Sequence, residues 1–136
     1  MQIPGLRLDE GAELPWRSTR WPGVSWLPLH LDDPEGGAGR DGRRPGATVL
    51  IRMEPGRAYA AHRHVGSEDV LVLAGGYTDE AGEYRAGEHV HYAPGSAHAP
   101  RALGSADDPI SDANPACILY SNVPEGIELL EDEPGE

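Results

Sequence analysis

The sequence predicts an all-β domain, a sandwich or barrel of short strands. Three observations carry this. Apolar runs are short, four to eight residues in most cases, as in TVLIRME at 48–54 and ACILYSNV at 116–123. Glycine (18) and proline (13) make up about 23% of the chain, against a usual ~12%, and they fall between those runs. No long stretch carries helical periodicity. With 136 residues, the chain is sized for one domain.

Residues 1–22 are polar and hold Trp16 and Trp21. They read as an arm that packs on the domain or on a neighbouring subunit. Val24 to Leu31 is a strand interrupted by Pro28, hence an edge strand. Residues 34–46 (PEGGAGRDGRRPG) form a flexible loop. In Thr48 to Glu54, Val49, Ile51 and Met53 alternate with Thr48, Arg52 and Glu54, with Leu50 out of phase. Pro55-Gly56 turns the chain into Ala58–His64. A turn at Val65-Gly66-Ser67 leads to Glu68–Leu73. Gly75-Gly76 enters a hairpin around Asp79–Gly82. His89–Tyr92 is a strand ended by Pro94-Gly95. A polar loop spans 104–115, and Ala116–Val123 is the last strand. The barrel is expected over 23–126, with an acidic tail over 127–136.

The formal charge of −12 repels phosphate backbones and anionic lipid heads, so neither nucleic acid nor membrane is an expected partner. Residues 1–10 lack the basic start and apolar run of a signal peptide. No run approaches about 18 apolar residues. A cytoplasmic location is the expectation. The single cysteine, Cys117, excludes an intrachain disulfide and reads as a small core residue.

His62-Arg63-His64 carries the chemistry. Alternate strand residues share a face, about 6.6 Å apart. Two imidazoles at that spacing can lean onto one ion through bonds of about 2.1 Å. Arg63 then faces away. On a straight strand Glu68 would lie ~13 Å from His64, too far to share an ion. The turn at 65–67 folds it back alongside. Ala58 and Ala60, on the same face, are small and would leave space beside an ion. His98, after Pro94-Gly95, is a candidate fourth ligand from the opposite part of the barrel. By the same alternation Tyr59 points away from the histidine face. His89 and His91 also share a face and point outward if Val90 and Tyr92 point in. The three tryptophans either line a substrate mouth or fill the core.

Residues 56–75 read Gly56-x5-His62-x-His64-x3-Glu68-x6-Gly75. This resembles the first cupin motif residue for residue. Residues 87–98 (GEHVHYAPGSAH) resemble the second, with Gly87, Pro94, Gly95 and His98 in its roles. One residue is missing between proline and glycine, and Ala102 stands where an asparagine is common. The run YAPGSAHAPR is similar to the subgroup that includes the C-terminal cupin of zinc-binding anti-sigma factors and the acetylacetone-cleaving dioxygenases.

The resemblance implies a cupin-type jelly-roll β-barrel holding one divalent ion on His62, His64, Glu68 and His98. Fe2+ is expected for an enzyme; Zn2+, Mn2+, Ni2+ and Cu2+ suit the same donors. It also implies a homodimer and a small-molecule substrate. The first functional expectation is a mononuclear non-haem Fe(II) dioxygenase acting on a small enolisable carbonyl compound, with Glu68 as a base and Tyr92 as an acid being candidate catalytic groups. The alternatives are a metal-binding sensor or regulatory cupin, and a redox-neutral isomerase or lyase. A complete anti-sigma factor is not expected, because no cysteine precedes Cys117 and about 45 residues precede the first strong strand.

Overall fold

The computed structural model describes residues 14–33 and 43–130, with the backbone of two short strands near the N-terminus. The strands are β1 (Gln2–Ile3), β2 (Leu6–Arg7), β3 (Arg17–Ser18), β4 (Val24–Leu31), β5 (Arg43–Arg44), β6 (Ala47–Met53), β7 (His62–His64) and β8 (Glu68–Ala74). They continue as β9 (Gly76–Asp79), β10 (Gly82–Arg85), β11 (His89–Tyr92), β12 (Ala97–His98), β13 (Arg101–Ala102), β14 (Cys117–Val123) and β15 (Ile127–Leu129). No helix occurs among the described residues, so none there is long and apolar enough to cross a membrane. The domain is all-β, as the punctuated short runs predict.

A six-stranded sheet runs in the order β11-β8-β14-β6-β4-β3, and a four-stranded sheet in the order β12-β7-β15-β5. A three-stranded sheet, β10-β9-β13, and the β1-β2 pair complete the set. All ladders are antiparallel, so successive side chains alternate between two faces. On β6, Val49, Ile51 and Met53 face the interior. Leu50 takes the opposite face and is fully buried, which accounts for its break in the pattern. On β14, Cys117, Leu119, Ser121 and Val123 share the interior face and are all buried. The core joins Cys117 and Leu119 to Val24, Val70, Val72, Tyr77 and Tyr92.

Pro28 sits beside a register shift between Pro28 and His30, where β4 pairs with β6 alone; β3 covers only Ser25 and Trp26. This is the edge environment that proline tolerates. Three boundaries differ from expectation. The last part of the expected arm enters the fold: β3 joins the sheet and Trp21 is buried. Arg43 and Arg44, read as loop, pair with β15. The first residues of the expected tail, Ile127–Leu129, form β15 against β7. Gly126 makes this return possible with φ +84°; a Cβ there would collide with the carbonyl oxygen of Arg44. Ile127 pairs with Arg44 and with His64, partners far along the chain that local pattern does not reveal. The remaining calls on 1–13, 34–42 and 131–136 lie outside the described residues.

Candidate metal centre

The pleat of β7 buries His62 and His64 and exposes Arg63 between them. β12 pairs with β7 so that His98 stands opposite His62. The pairing runs on into the turn at 93–96 through His64 N–H to Ser96 O (2.8 Å) and Gly95 N–H to His64 O (2.8 Å). Glu68 opens β8 and is 5% exposed, like His62 (4%), His64 (0%) and His98 (7%). The four side chains offer ligand atoms that all lie within 4.8 Å of one another. The sequence-expected ligands are therefore brought together, and this cluster could bind a metal ion.

The hydrogen-bond partners decide which atoms are free to do so. His62 Nδ1 lies 2.8 Å from Ala60 O, a pure acceptor, so Nδ1 must donate. His98 Nδ1 donates to the Asp79 carboxylate at 2.8 Å. The Ser96 hydroxyl gives its proton to Ala93 O (2.6 Å), so it accepts from His64 Nδ1 at 3.0 Å. With each Nδ1 donating to its own acceptor, Nε2 is the ring atom that each histidine has left to offer an ion. His62 Nε2 and His98 Nε2 face each other at 3.0 Å. His64 Nε2 and Glu68 Oε1 are 2.7 Å apart, yet neither makes a directed hydrogen bond. Three Nε2 atoms and a carboxylate oxygen thus meet in a buried space, two of them, His64 Nε2 and Glu68 Oε1, without a hydrogen-bond partner. Such an arrangement is costly in a protein interior and is relieved by a cation. The residues present fit a divalent ion of borderline character.

Electrostatics agree. Burial first, and then the neighbouring His98, push His62 down to about 4 from the usual 6.5, so the ring is neutral at physiological pH. Burial pushes the Glu68 carboxyl up, but the close approach of His64 and the hydroxyl of Ser121, which donates at 2.5 Å, bring it below the usual range. Glu68 is thus held ionised, with Oε2 tied and Oε1 at the cluster.

Asp79 was not singled out by the sequence; it was read only as part of a hairpin turn. It does serve that turn, accepting the Ala81 and Gly82 N–H groups on Oδ1. Its Oδ2 accepts from His98 and, at 2.7 Å, from the Tyr92 hydroxyl. Tyr77 in turn donates to Tyr92 at 2.5 Å. Burial raises the Asp79 carboxyl, and His98 and Tyr92 more than reverse that. Tyr92, the sequence candidate for an acid, is buried with its proton committed to Asp79, and burial drives its pKa well up. In this geometry it steadies Asp79, and Asp79 steadies His98.

A cavity of about 670 Å3 reaches the cluster at His62, Glu68 and His98. Its lining corrects two expectations. Ala58 and Ala60 do not bound this space; Ala60 is fully buried core. Tyr59 does line it, with its ring 5.5 Å from that of His62. Only His62–His64 is strand there, and Ala58 forms an isolated bridge, so alternation does not extend back to Tyr59. Trp21 and Trp26 both line the cavity, and Trp21 also belongs to the core. His89 and His91 face outward, as expected, and both bond to Asp69. Cys117 is fully buried, its thiol pushed up by burial to about 12. Arg101 is exposed and donates to Gly56 O at 2.7 Å.

The ChrR cupin-like domain profile matches residues 8–107, well over half of the chain. The chain belongs to this cupin family. This cupin is similar in structure to a chain of the Rhodobacter sphaeroides SigE complex with the anti-sigma ChrR: 27% identity, TM-score 0.61, covering 88% of this chain and 51% of that one. It thus spans about half the length of that match. An RmlC-like cupin protein from Ralstonia eutropha is 19% identical with TM-score 0.63, over 89% of this chain and 69% of that one. An acetylacetone dioxygenase from Acinetobacter johnsonii is 15% identical with TM-score 0.57, over 81% and 65%. The last two likenesses bear on the fold alone. No curated protein gave a match.

Proposed function

We propose that this cupin is a metal-dependent enzyme, a mononuclear non-haem Fe(II) dioxygenase acting on a small enolisable carbonyl compound. The observation that carries the reading is the cavity of about 670 Å3 that ends on the His62, Glu68 and His98 side chains. A purely structural ion needs no such access. A bound divalent ion would supply Lewis acidity toward the oxygens of the substrate. The chain's own groups do the rest. His62, His64, His98 and Glu68 would hold the ion; Ala60 O, Ser96 and Asp79 fix the three rings. Glu68 is ionised and lines the cavity, so that on letting go of the ion it is the carboxylate placed to take the acidic proton of the substrate. A homodimer and a cytoplasmic location belong to the same proposal.

The test is oxygen uptake by Fe(II)-loaded protein offered a panel of β-dicarbonyl and hydroxyketone compounds. Substrate-dependent uptake, lost in His98→Ala, supports the reading; uptake that is unchanged in His98→Ala sinks it. Turnover without dioxygen would indicate an isomerase or lyase. A regulatory role is favoured by one observation, the 27% identity with a chain of the anti-sigma complex. Specific recovery of a sigma factor on the purified chain would establish that role instead.

A further inference from the structure

The walls and the mouth of the cavity differ sharply in chemistry. Val49, Ile51, Val70, Leu119 and Val123, from β6, β8 and β14, make its inner surface. Ser121 is polar, but its hydroxyl is spent on Glu68. Between the metal cluster and the rim, this wall is apolar. The rim instead carries Arg17, Arg20 and Arg44, with Asp33 as the acidic residue among them. Arg17 is an exposed cation on that opening. The Arg17 guanidinium is held 5.4 Å over the ring of Trp26, which itself lines the cavity. Stacking of that kind orients the planar fork while leaving its N–H edges for an anion. No carboxylate of the described residues pairs with Arg17.

We propose that the cavity takes an amphipathic anion. Its apolar body lies along the β6 and β14 wall, its anionic group sits at Arg17 at the rim, and its metal-binding oxygens point to the cluster. The size fits, since sites for molecules of that kind enclose roughly 300–1,000 Å3. A small neutral diketone would leave the apolar wall and the Arg17 edge unused. The last part of the proposal, which end meets the cluster, rests on the function proposed above; the apolar body and the Arg17 contact do not.

Trp21 and Trp26 line the cavity, so their fluorescence reports its filling. The probes are hexanoate, octanoate, decanoate and decanol, titrated into the full chain both Zn2+-loaded and stripped by chelator. Affinity should rise about fourfold per added methylene. Arg17→Gln should weaken decanoate by about fivefold and leave decanol unchanged, while Arg17→Lys, which keeps the charge and loses the stacked fork, should fall between Arg17→Gln and the unsubstituted chain. Ile51→Trp, which fills the cavity, should remove binding of both. Two results overturn the proposal. One is affinity that does not depend on chain length. The other is decanoate binding that ignores Arg17→Gln but is lost in His98→Ala, because the carboxylate then sits at the cluster. Chain-length-dependent binding without any oxygen uptake would defeat the dioxygenase reading and leave this one standing.

Discussion

The chain carries two His-x-His pairs on strands, and they have opposite fates. His62 and His64 on β7 are buried; His89 and His91 on β11 have side chains 60% and 55% exposed. Each pair meets a carboxylate, and the two carboxylates are neighbours on β8. Glu68 faces the interior beside His64, and Asp69 faces outward beside His89 and His91. The spacing is the same in both, so spacing does not make the difference. The phase of the pleat does. Inside, each Nδ1 is used by a fixed acceptor and the Nε2 atoms converge. Outside, both rings bond to one oxygen of Asp69 at 3.0 and 2.9 Å, where solvent can serve the remaining atoms. The hydrogen bond from His91 first of all holds the Asp69 carboxyl below its usual range.

The sharpest way to break this comparison is to delete each pair. His62→Ala with His98→Ala should weaken metal binding by more than about 100-fold and empty the protein on dialysis. His89→Ala with His91→Ala should leave one ion per chain, by elemental analysis. The next effect concerns pH. The folded pKa of His62, about 4, lies below the unfolded 6.5. Between those values the unfolded chain binds a proton that the folded chain refuses. Stability of the metal-free protein should therefore fall as pH drops through that window, by about 3 kcal/mol at most. Urea titrations at several pH values check this, and the outer-pair variant should keep the slope.

Smaller effects sharpen the roles of the supporting groups. Asp79→Asn removes the charge that fixes His98 and should weaken metal affinity by about 10–100-fold in a chelator competition. Asp69→Asn, its outward counterpart, should leave that affinity unchanged and shift stability by less than about 0.5 kcal/mol. Ser121→Ala frees one oxygen of Glu68 and should cost about fivefold in metal affinity.

The ligand set was legible because it rests on short-range rules: alternation over His62-Arg63-His64, one turn, and motif spacing. Asp79 was not, because its turn function gave a sufficient reason for an aspartate there. Its second role depends on β12 and β11 bringing His98 and Tyr92 to it from 19 and 13 residues away. The alternation of Val49, Ile51 and Met53 was legible as a core face. That this face borders a cavity depends on how far apart the sheets stand, and no local pattern encodes that distance. Tyr59 was misplaced for a related reason: alternation was carried through residues that are not strand.

The most direct test of the metal centre is an anomalous-difference map from crystals grown with one equivalent of Zn2+ or Fe2+, recorded at the metal edge. The account expects a single strong peak bounded by His62 Nε2, His64 Nε2, His98 Nε2 and a Glu68 oxygen. A peak at His89, His91 and Asp69 instead, or none between the four buried side chains, would contradict it.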